Sequence, residues 1–315
     1  MTQTDTRGGV AAVLIRFSLP LIISGILQQL YNWADAFIVG HAVGESALAA
    51  VGATTAVSVF FTMAITGFTQ GLSILAAQRF GSGDRAGLRP ILSTFLVVLL
   101  PLSILCAAFG VWASGSLLHL LHTPENILAF AGDYLRIIFI GVPFLAAYNL
   151  YSALLRAMGD SRAPFYAVVV SSLANVALDL WFVAGLGMGT AGAALATTAA
   201  QAVSFGMALV LVARRTGLLQ PKLSFFRMHG ALLRLILRLG IPSALQMTIA
   251  GFSWLVVTFL VNQYGVDVSA GNGVAIKIKD ICQLFISAMA SGATTMIAQN
   301  LGASKFERAK DVMYT

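Results

Sequence analysis

The sequence predicts an all-α protein that crosses a membrane several times. Of its 315 residues, 58% are hydrophobic and 10% are charged, and the mean hydropathy is +0.86. A soluble domain carries about 25% charged residues. The apolar stretches are long and uninterrupted, which favours spanning helices over the strands of a barrel.

Runs without charged residues place the spans along the chain. A crossing needs about 20 residues, so the run 163–213, which Asp179 interrupts, is too long for one helix. The glycines of the segment GLGMG at 185–189 divide it into a hairpin. The sequence therefore predicts eight helices, near residues 14–40, 46–78, 90–112, 127–156, 164–184, 190–213, 236–262 and 268–300.

The basic residues predict the orientation. Most of the 19 Lys and Arg residues lie before helix one and in every second segment between spans, whereas the segments 41–45, 113–126, 185–190 and 263–267 contain none. The positive-inside rule places the basic side, and the N-terminus, in the cytoplasm. We thus expect a multi-pass protein of the inner (plasma) membrane, whose net charge of +7 reflects topology rather than nucleic-acid binding.

Asp179 is the most informative residue of the chain. An ionisable group at the centre of a bilayer costs about 2.5–3.5 kcal/mol, so it indicates a functional site. Asn175 precedes it by one helical turn, on the same face. Thr197 lies as far beyond the GLGMG turn as Asp179 lies before it, so an antiparallel hairpin brings both to one depth.

A second acid, Asp35, falls in the outer half of helix one, at a depth similar to that of Asp179. Asp35, Asn175, Asp179 and Thr197 form our candidate site for coupling to H⁺ or for binding Na⁺. A hydrogen-bonded packing cluster is the alternative, because Asn and Thr also join helices in membranes.

Helix one carries further polar residues before Asp35. Gln28, Tyr31 and Asn32 make its last turns polar, which favours the lining of a cavity over contact with lipid. Pro20 lacks a backbone N–H and can kink this helix, so we interpret it as a hinge.

An internal repeat divides the chain into two lobes. The segment RFSLP at 16–20 matches RLGIP at 238–242, and Gln78 and Gly81 match Gln299 and Gly302 at an offset of 221. The predicted parts are an amino-terminal six-helix lobe (1–213), a basic cytoplasmic linker (214–235) and the start of a carboxy-terminal lobe (236–315). A parallel repeat of this kind places the substrate cavity between the halves. Since the second lobe holds two of six expected helices, we expect a longer transporter truncated after helix eight.

Three segments resemble one family. They read LPLIISGILQQLYNWADAFIVG in helix one, LLRAMGDSRAPFYAVVVSSLANVALD through helix five, and GLGMGTAGAALATTAAQ at the start of helix six. Together with the repeat, they resemble the MATE (multidrug and toxic compound extrusion) family of cation-coupled exporters. The resemblance implies a V-shaped pair of bundles and alternating access driven by H⁺ or Na⁺, with the amino-lobe cation site formed by Asp35, Asn175, Asp179 and Thr197. Helix seven has no acid, which favours the DinF-like branch.

The resulting hypothesis is a monomeric efflux antiporter for small organic cations, without enzymatic activity and without a cofactor other than the coupling ion. A lipid-linked oligosaccharide flippase of the same superfamily is the alternative, but it would need several Arg or Lys residues in its cavity. An intramembrane aspartyl protease would be expected to show a Gly-x-Gly-Asp motif, whereas Met188 follows Gly185-Leu-Gly187.

Overall fold

The computed structural model describes residues 9–121, 123–218, 228–262, 264 and 266–314, and this part of the chain is helical without strands. Eight helices are long and apolar enough to cross a membrane, which confirms the predicted fold class. The elements are α1 (Val10–Ala42), α2 (Glu45–Gly81), α3 (Leu88–Leu120), α4 (Glu125–Ala157), α5 (Arg162–Asp179) with a π-helical segment (Leu180–Gly185), α6 (Gly189–Thr216), α7 (Gly230–Asn262), α8 (Val266–Gly302) and α9 (Phe306–Tyr314).

The helices extend beyond the predicted bounds at most ends. The residues proposed as a linker, 214–235, include the last turn of α6 and the first turns of α7, which begins at Gly230. The spans were predicted from runs without charged residues. Because charged residues lie near the ends of the helices, the predicted helices were too short. Arginines such as Arg215 and Arg234 nevertheless continue a helix, because their long side chains can place the guanidinium at the membrane boundary.

The core of the first six helices is built around α4. This helix packs against α2, α3 and α6, and α5 packs against α1 and α6. Phe95, Leu150 and Leu154 are fully buried between them, whereas large apolar side chains such as that of Trp112, 80% exposed, face outward. An apolar exterior around a packed core is the arrangement that a lipid environment requires.

The repeat brings α2 and α8 together at the end of the bundle where both helices finish, here called the inner end. A Cβ atom at Gly81 would collide with the backbone of Gln299, and one at Gly302 would collide with the backbone of Gln78. The two contacts are related by the offset of 221 residues found in the sequence. We call this contact of Gln78, Gly81, Gln299 and Gly302 the α2–α8 crossing.

The side chains of α7 become more exposed away from the inner end. Ile236 and Ala244, in its first half, pack into the apolar cluster that contains Phe68 and Leu72 of α2. Beyond Gly251, most side chains of α7 that the structure describes, among them Phe252, Val256 and Leu260, are exposed, and Val261 is partly exposed. The described contacts of α7 and α8 with the first six helices therefore include close packing at the inner end.

Gln299 joins α8 to α4 by a buried hydrogen bond. Its Nε2 atom donates to the carbonyl oxygen of Ala157, at the end of α4, over 2.7 Å. We expect Gln299→Ala to lower the free energy of unfolding by about 1–3 kcal/mol, because the buried carbonyl loses its donor. Thermal unfolding in detergent measures this. Gln283→Ala, which removes an exposed glutamine of α8, is the control, and an equal change in both variants would contradict the prediction.

Candidate functional site

Asp179 lies where α5 changes its helical geometry. It is the last α-helical residue of α5, and the π-helical segment Leu180–Gly185 follows at once. Just after this segment, the backbone N–H of Leu186 donates to the carbonyl oxygen of Trp181 over 2.8 Å. The backbone N–H of Met188 donates to the carbonyl oxygen of Phe182 over 2.9 Å. Single π-helical turns occur frequently at functional sites, because they change the direction in which the neighbouring side chains point.

A polar stripe on α5 faces the interior of the amino-terminal lobe. Its members Ser172, Asn175 and Asp179 follow one another at helical spacing. Asp179 is 0% exposed and Asn175 is 1% exposed, so both side chains are shielded from lipid and bulk solvent. The hydrogen-bonding groups of this stripe must therefore be satisfied inside the lobe.

The carboxyl group of Asp35 on α1 is the charged neighbour of Asp179. The phenol groups of two tyrosines belong to the same cluster: Tyr31 lies near Asp35, and Tyr134 on α4 lies near both carboxyl groups. The fold thus brings together two acids that are 144 positions apart in the chain, and it adds hydroxyl groups from α1 and α4.

The cluster contains polar atoms that the protein leaves unsatisfied. With both acids ionised, seven buried side-chain atoms within the described residues have no hydrogen-bond partner: Asp35 Oδ1, Ser172 Oγ, Asn175 Oδ1 and Nδ2, Asp179 Oδ1 and Oδ2, and Gln201 Oε1. A proton on either acid would allow a hydrogen bond between the two carboxyl groups. Leaving a buried polar group unpaired costs about 1–3 kcal/mol. The concentration of unpaired polar atoms at one place indicates a site that receives ions, protons or water.

Two cavities lie beside this cluster, and neither is lined by Asp35 or Asp179. The smaller, of about 40 Å³, lies between α1, α5 and α6 and is lined by Tyr31, Asn175 and Thr197, among others. The larger, of about 130 Å³, lies between α2, α4 and α6 and is lined by Tyr134 and by apolar and aromatic side chains. Thr197 and Gln201 line both cavities, so the two spaces share one wall.

Within the described residues, no lysine, arginine or histidine forms an ion pair with Asp35 or Asp179. The same residues contain no group of three His, Cys, Asp or Glu side chains able to hold a metal ion. An uncompensated pair of acids in a membrane interior is costly unless positive charge joins it. The donor set of two carboxylates, an amide and a hydroxyl suits a proton or a hard monovalent cation, which both interact with oxygen.

The sequence-predicted residues divide into two groups. Asp35, Asp179 and Tyr31 are neighbours, and Asn175 and Thr197 line the smaller cavity together with Tyr31. Gln28 is partly exposed and Asn32 is exposed, and neither lines the two cavities described above. Pro20 lies inside α1, which continues through it, and its carbonyl oxygen accepts a hydrogen bond of 2.8 Å from Ser24 Oγ.

Three contributors escape inspection of the sequence: Tyr134, Ser172 and Gln201. Ser172 and Gln201 could have been found, because each lies at helical spacing from a predicted residue, Asn175 and Thr197 respectively. Tyr134 could not, since only the packing of α4 in the lobe places it beside the acids.

Comparison with known proteins identifies the family. The sequence profile of the MatE family matches residues 20–181 and 242–315. The chain belongs to the MatE family. It is 30% identical to the probable multidrug resistance protein YoeA of Bacillus subtilis (strain 168) over 320 residues, which cover 99% of this chain and 69% of YoeA. It is 32% identical to the probable multidrug resistance protein YpnP of the same organism, over 96% of this chain and 68% of YpnP.

Solved MATE structures share the fold. One describes the outward-facing conformation of a multidrug resistance MATE family transporter of the MOP superfamily. It superposes with a TM-score of 0.90 at 26% sequence identity, and the match covers 100% of this chain and 70% of that one. This MatE protein is therefore a multi-pass membrane transporter rather than an enzyme, and multidrug transporters of this family handle small organic substrates in the membrane.

Proposed function

We propose that this MatE protein is an antiporter that exports small organic cations in exchange for H⁺ or Na⁺. The single observation that carries the proposal is the pair of a buried Asp179 and a partly buried Asp35, which are neighbours and have no basic ion-pair partner within the described residues. A site that needs positive charge can be satisfied in turn by the coupling ion and by a cationic substrate.

The exchange follows from electrostatics. With both acids ionised, the cluster attracts a cation; with a proton or Na⁺ bound, the attraction for a second cation is weakened. Asn175 and Thr197 add neutral oxygen atoms on the adjoining cavity wall, where they can complete the coordination of Na⁺ or hydrogen-bond a protonated carboxyl group. Binding of the ion from outside would thereby release the substrate.

Alternating access needs a contact that can open and close. The α2–α8 crossing is a close contact at the inner end that could serve in this way, and one similar transporter has been solved in an outward-facing conformation. Rocking of the halves would open the inner end, and Pro20 in α1 is the hinge that we propose for moving Asp35 during this change.

The remaining assignments follow the distribution of charge. Basic residues gather at the inner end, among them Arg79, Arg85, Arg162 and Arg214, and this supports our proposal that this end and the N-terminus lie in the cytoplasm. We propose a monomer in the plasma membrane. An oligosaccharide flippase is not favoured, because neither of the two cavities described above is lined by Lys or Arg.

The dependence of transport on the ion gradient tests the proposal. The complete gene product is reconstituted in liposomes loaded with a fluorescent organic cation, and either a proton gradient or a sodium gradient is imposed. We expect one of the two gradients to drive the cation against its own concentration gradient, and this result also names the coupling ion. Transport that only dissipates the cation gradient under both conditions would contradict antiport.

A further inference from the structure

A row of polar side chains on α4 ends in a positive charge. Tyr148, Ser152 and Arg156 follow one another at intervals of four residues, so they lie along one side of this helix. Ser152 is buried, whereas Tyr148 and Arg156 are partly buried. Because Arg156 belongs to the last turn of α4, the row finishes at the inner end of the lobe.

Tyr148 connects this row with the acids of the candidate site. It lies near Tyr31 of α1, and Tyr31 lies near Asp35. On its other side, Tyr148 lies near Arg156. Polar side chains therefore follow one another from the carboxyl group of Asp35 to the guanidinium group of Arg156.

The smaller cavity extends from the acids in the same direction. Its lining includes Ser171 of α5 and Ser204 of α6. Ser171 precedes Asp179 by eight residues, which is about 12 Å along a helix that starts at the inner end. Ser204 follows Thr197 on a helix that runs toward the inner end. Both serines thus lie between the depth of the acids and the inner end, where they favour water or an ion over an apolar filling.

Arg156 carries its charge without an acidic partner. Within the described residues its guanidinium group donates from Nη1 to Ser152 Oγ, and it takes part in no ion pair. The next acid along the chain, Asp160, pairs with Arg215 instead. An arginine stays protonated in proteins, and its repulsion of other cations is stronger in a partly buried site than in water.

Antiport requires a barrier at this place. A polar path that joined the acids to the cytoplasm at all times would let the coupling ion pass through the amino-terminal lobe without moving any substrate. Fixed positive charge, including that of arginine, excludes protons and other cations from polar pores. The guanidinium group of Arg156 lies where this path would reach the inner end.

We propose that Arg156 is an electrostatic barrier that stops the coupling ion from leaking between the acids and the cytoplasm through the amino-terminal lobe. The proposal rests on the antiport given above and assigns a residue that enforces its coupling. With the barrier in place, the ion reaches the cytoplasm only when the two halves of the transporter rearrange.

Passive ion flux tests this barrier. The complete gene product is reconstituted in liposomes without organic substrate, a membrane potential is imposed, and the leaks of H⁺ and of radioactive Na⁺ are measured. For Arg156→Gln we expect the leak of one of these ions to rise about tenfold over that of the unmodified protein, because the repulsion is lost. Arg156→Lys keeps the charge and should remain tight. Arg136→Gln, which changes an exposed arginine of the same helix, is the control.

Ser152→Asp provides a second variant that leaves Arg156 in the sequence. The new carboxylate lies beside the guanidinium group and neutralises it, so we expect a leak similar to that of Arg156→Gln. Ser152→Ala removes the hydroxyl group without adding charge and should remain tight. Adding Asp179→Asn to Arg156→Gln should reduce the leak again, because the proposed path passes the acids.

Liposomes with Arg156→Gln that are as tight as those with the unmodified protein would overturn the proposal, as would an equal leak in Arg156→Lys. A leak that persists in the combined variant with Asp179→Asn would indicate general damage and would also contradict it. The flux measurement needs no substrate gradient. Failure of ion-driven export in the unmodified protein therefore contradicts the antiport, whereas a tight Arg156→Gln variant contradicts the barrier.

Discussion

Asp179→Asn is expected to reduce ion-driven export to the level of liposomes without protein, although the variant folds normally. The amide keeps the size of the side chain but cannot carry the charge that attracts a cation. Removing an ionisable group from a membrane interior is favourable, since such a group costs about 2.5–3.5 kcal/mol. We therefore expect activity to fall while the thermal stability in detergent stays the same or rises.

Asp35→Asn should have the same effect, and the double variant should be no worse than either single one, because the two acids act as a unit. Asp133→Asn is the matched control: Asp133 is exposed on α4 and pairs with Arg136 over 3.5 Å. Coupled export that persists in both Asp35→Asn and Asp179→Asn would show that the buried pair has no part in coupling.

Gly81→Ala is expected to destabilise the α2–α8 crossing by about 1–3 kcal/mol, the usual cost of overpacking. The new methyl group meets the backbone of Gln299, which cannot turn away as a side chain can. Gly302→Ala should lower the melting temperature by a similar amount, because it meets the backbone of Gln78 in the corresponding contact.

Gly52→Ala supplies the control within the same helix. A Cβ atom there meets nothing within 4 Å, so the substitution should be neutral or slightly stabilising, as expected for alanine in a helix. Melting curves of the purified variants in one detergent allow the comparison. If Gly81→Ala melts like Gly52→Ala, the close approach of the two backbones does not hold in the protein.

The sequence predicted the fold and the central residues of the site because both depend on local rules. Apolar runs of sufficient length define spanning helices, and an acid inside such a run stands out. Asp179 and Thr197 are equally far from the GLGMG turn in sequence, and this count alone predicted that they lie at the same depth in the membrane. The eight helices of the structure confirm the first of these predictions.

The remaining features depend on contacts between helices that are distant in the chain. Tyr134 reaches the acids because α4 lies at the centre of the lobe, and Gln201 keeps its place because α4 approaches α6 at Gly141. The π-helical turn after Asp179 has no distinctive composition, since its residues would equally continue an α-helix. Charge as a marker of helix ends also misplaced the start of α7, because Arg234, which precedes the predicted start at residue 236, lies within the helix.

The crossing of α2 and α8 brings main chain against main chain, with no flexible side chain between them at Gly81 and Gly302. Such a junction has no gradual way to loosen, because a small displacement removes most of the van der Waals contact at once. We expect the α2–α8 crossing to have two discrete states, closed and open, with few molecules in intermediate states. Export would then proceed in all-or-none steps, and leakage through a half-open gate would be rare.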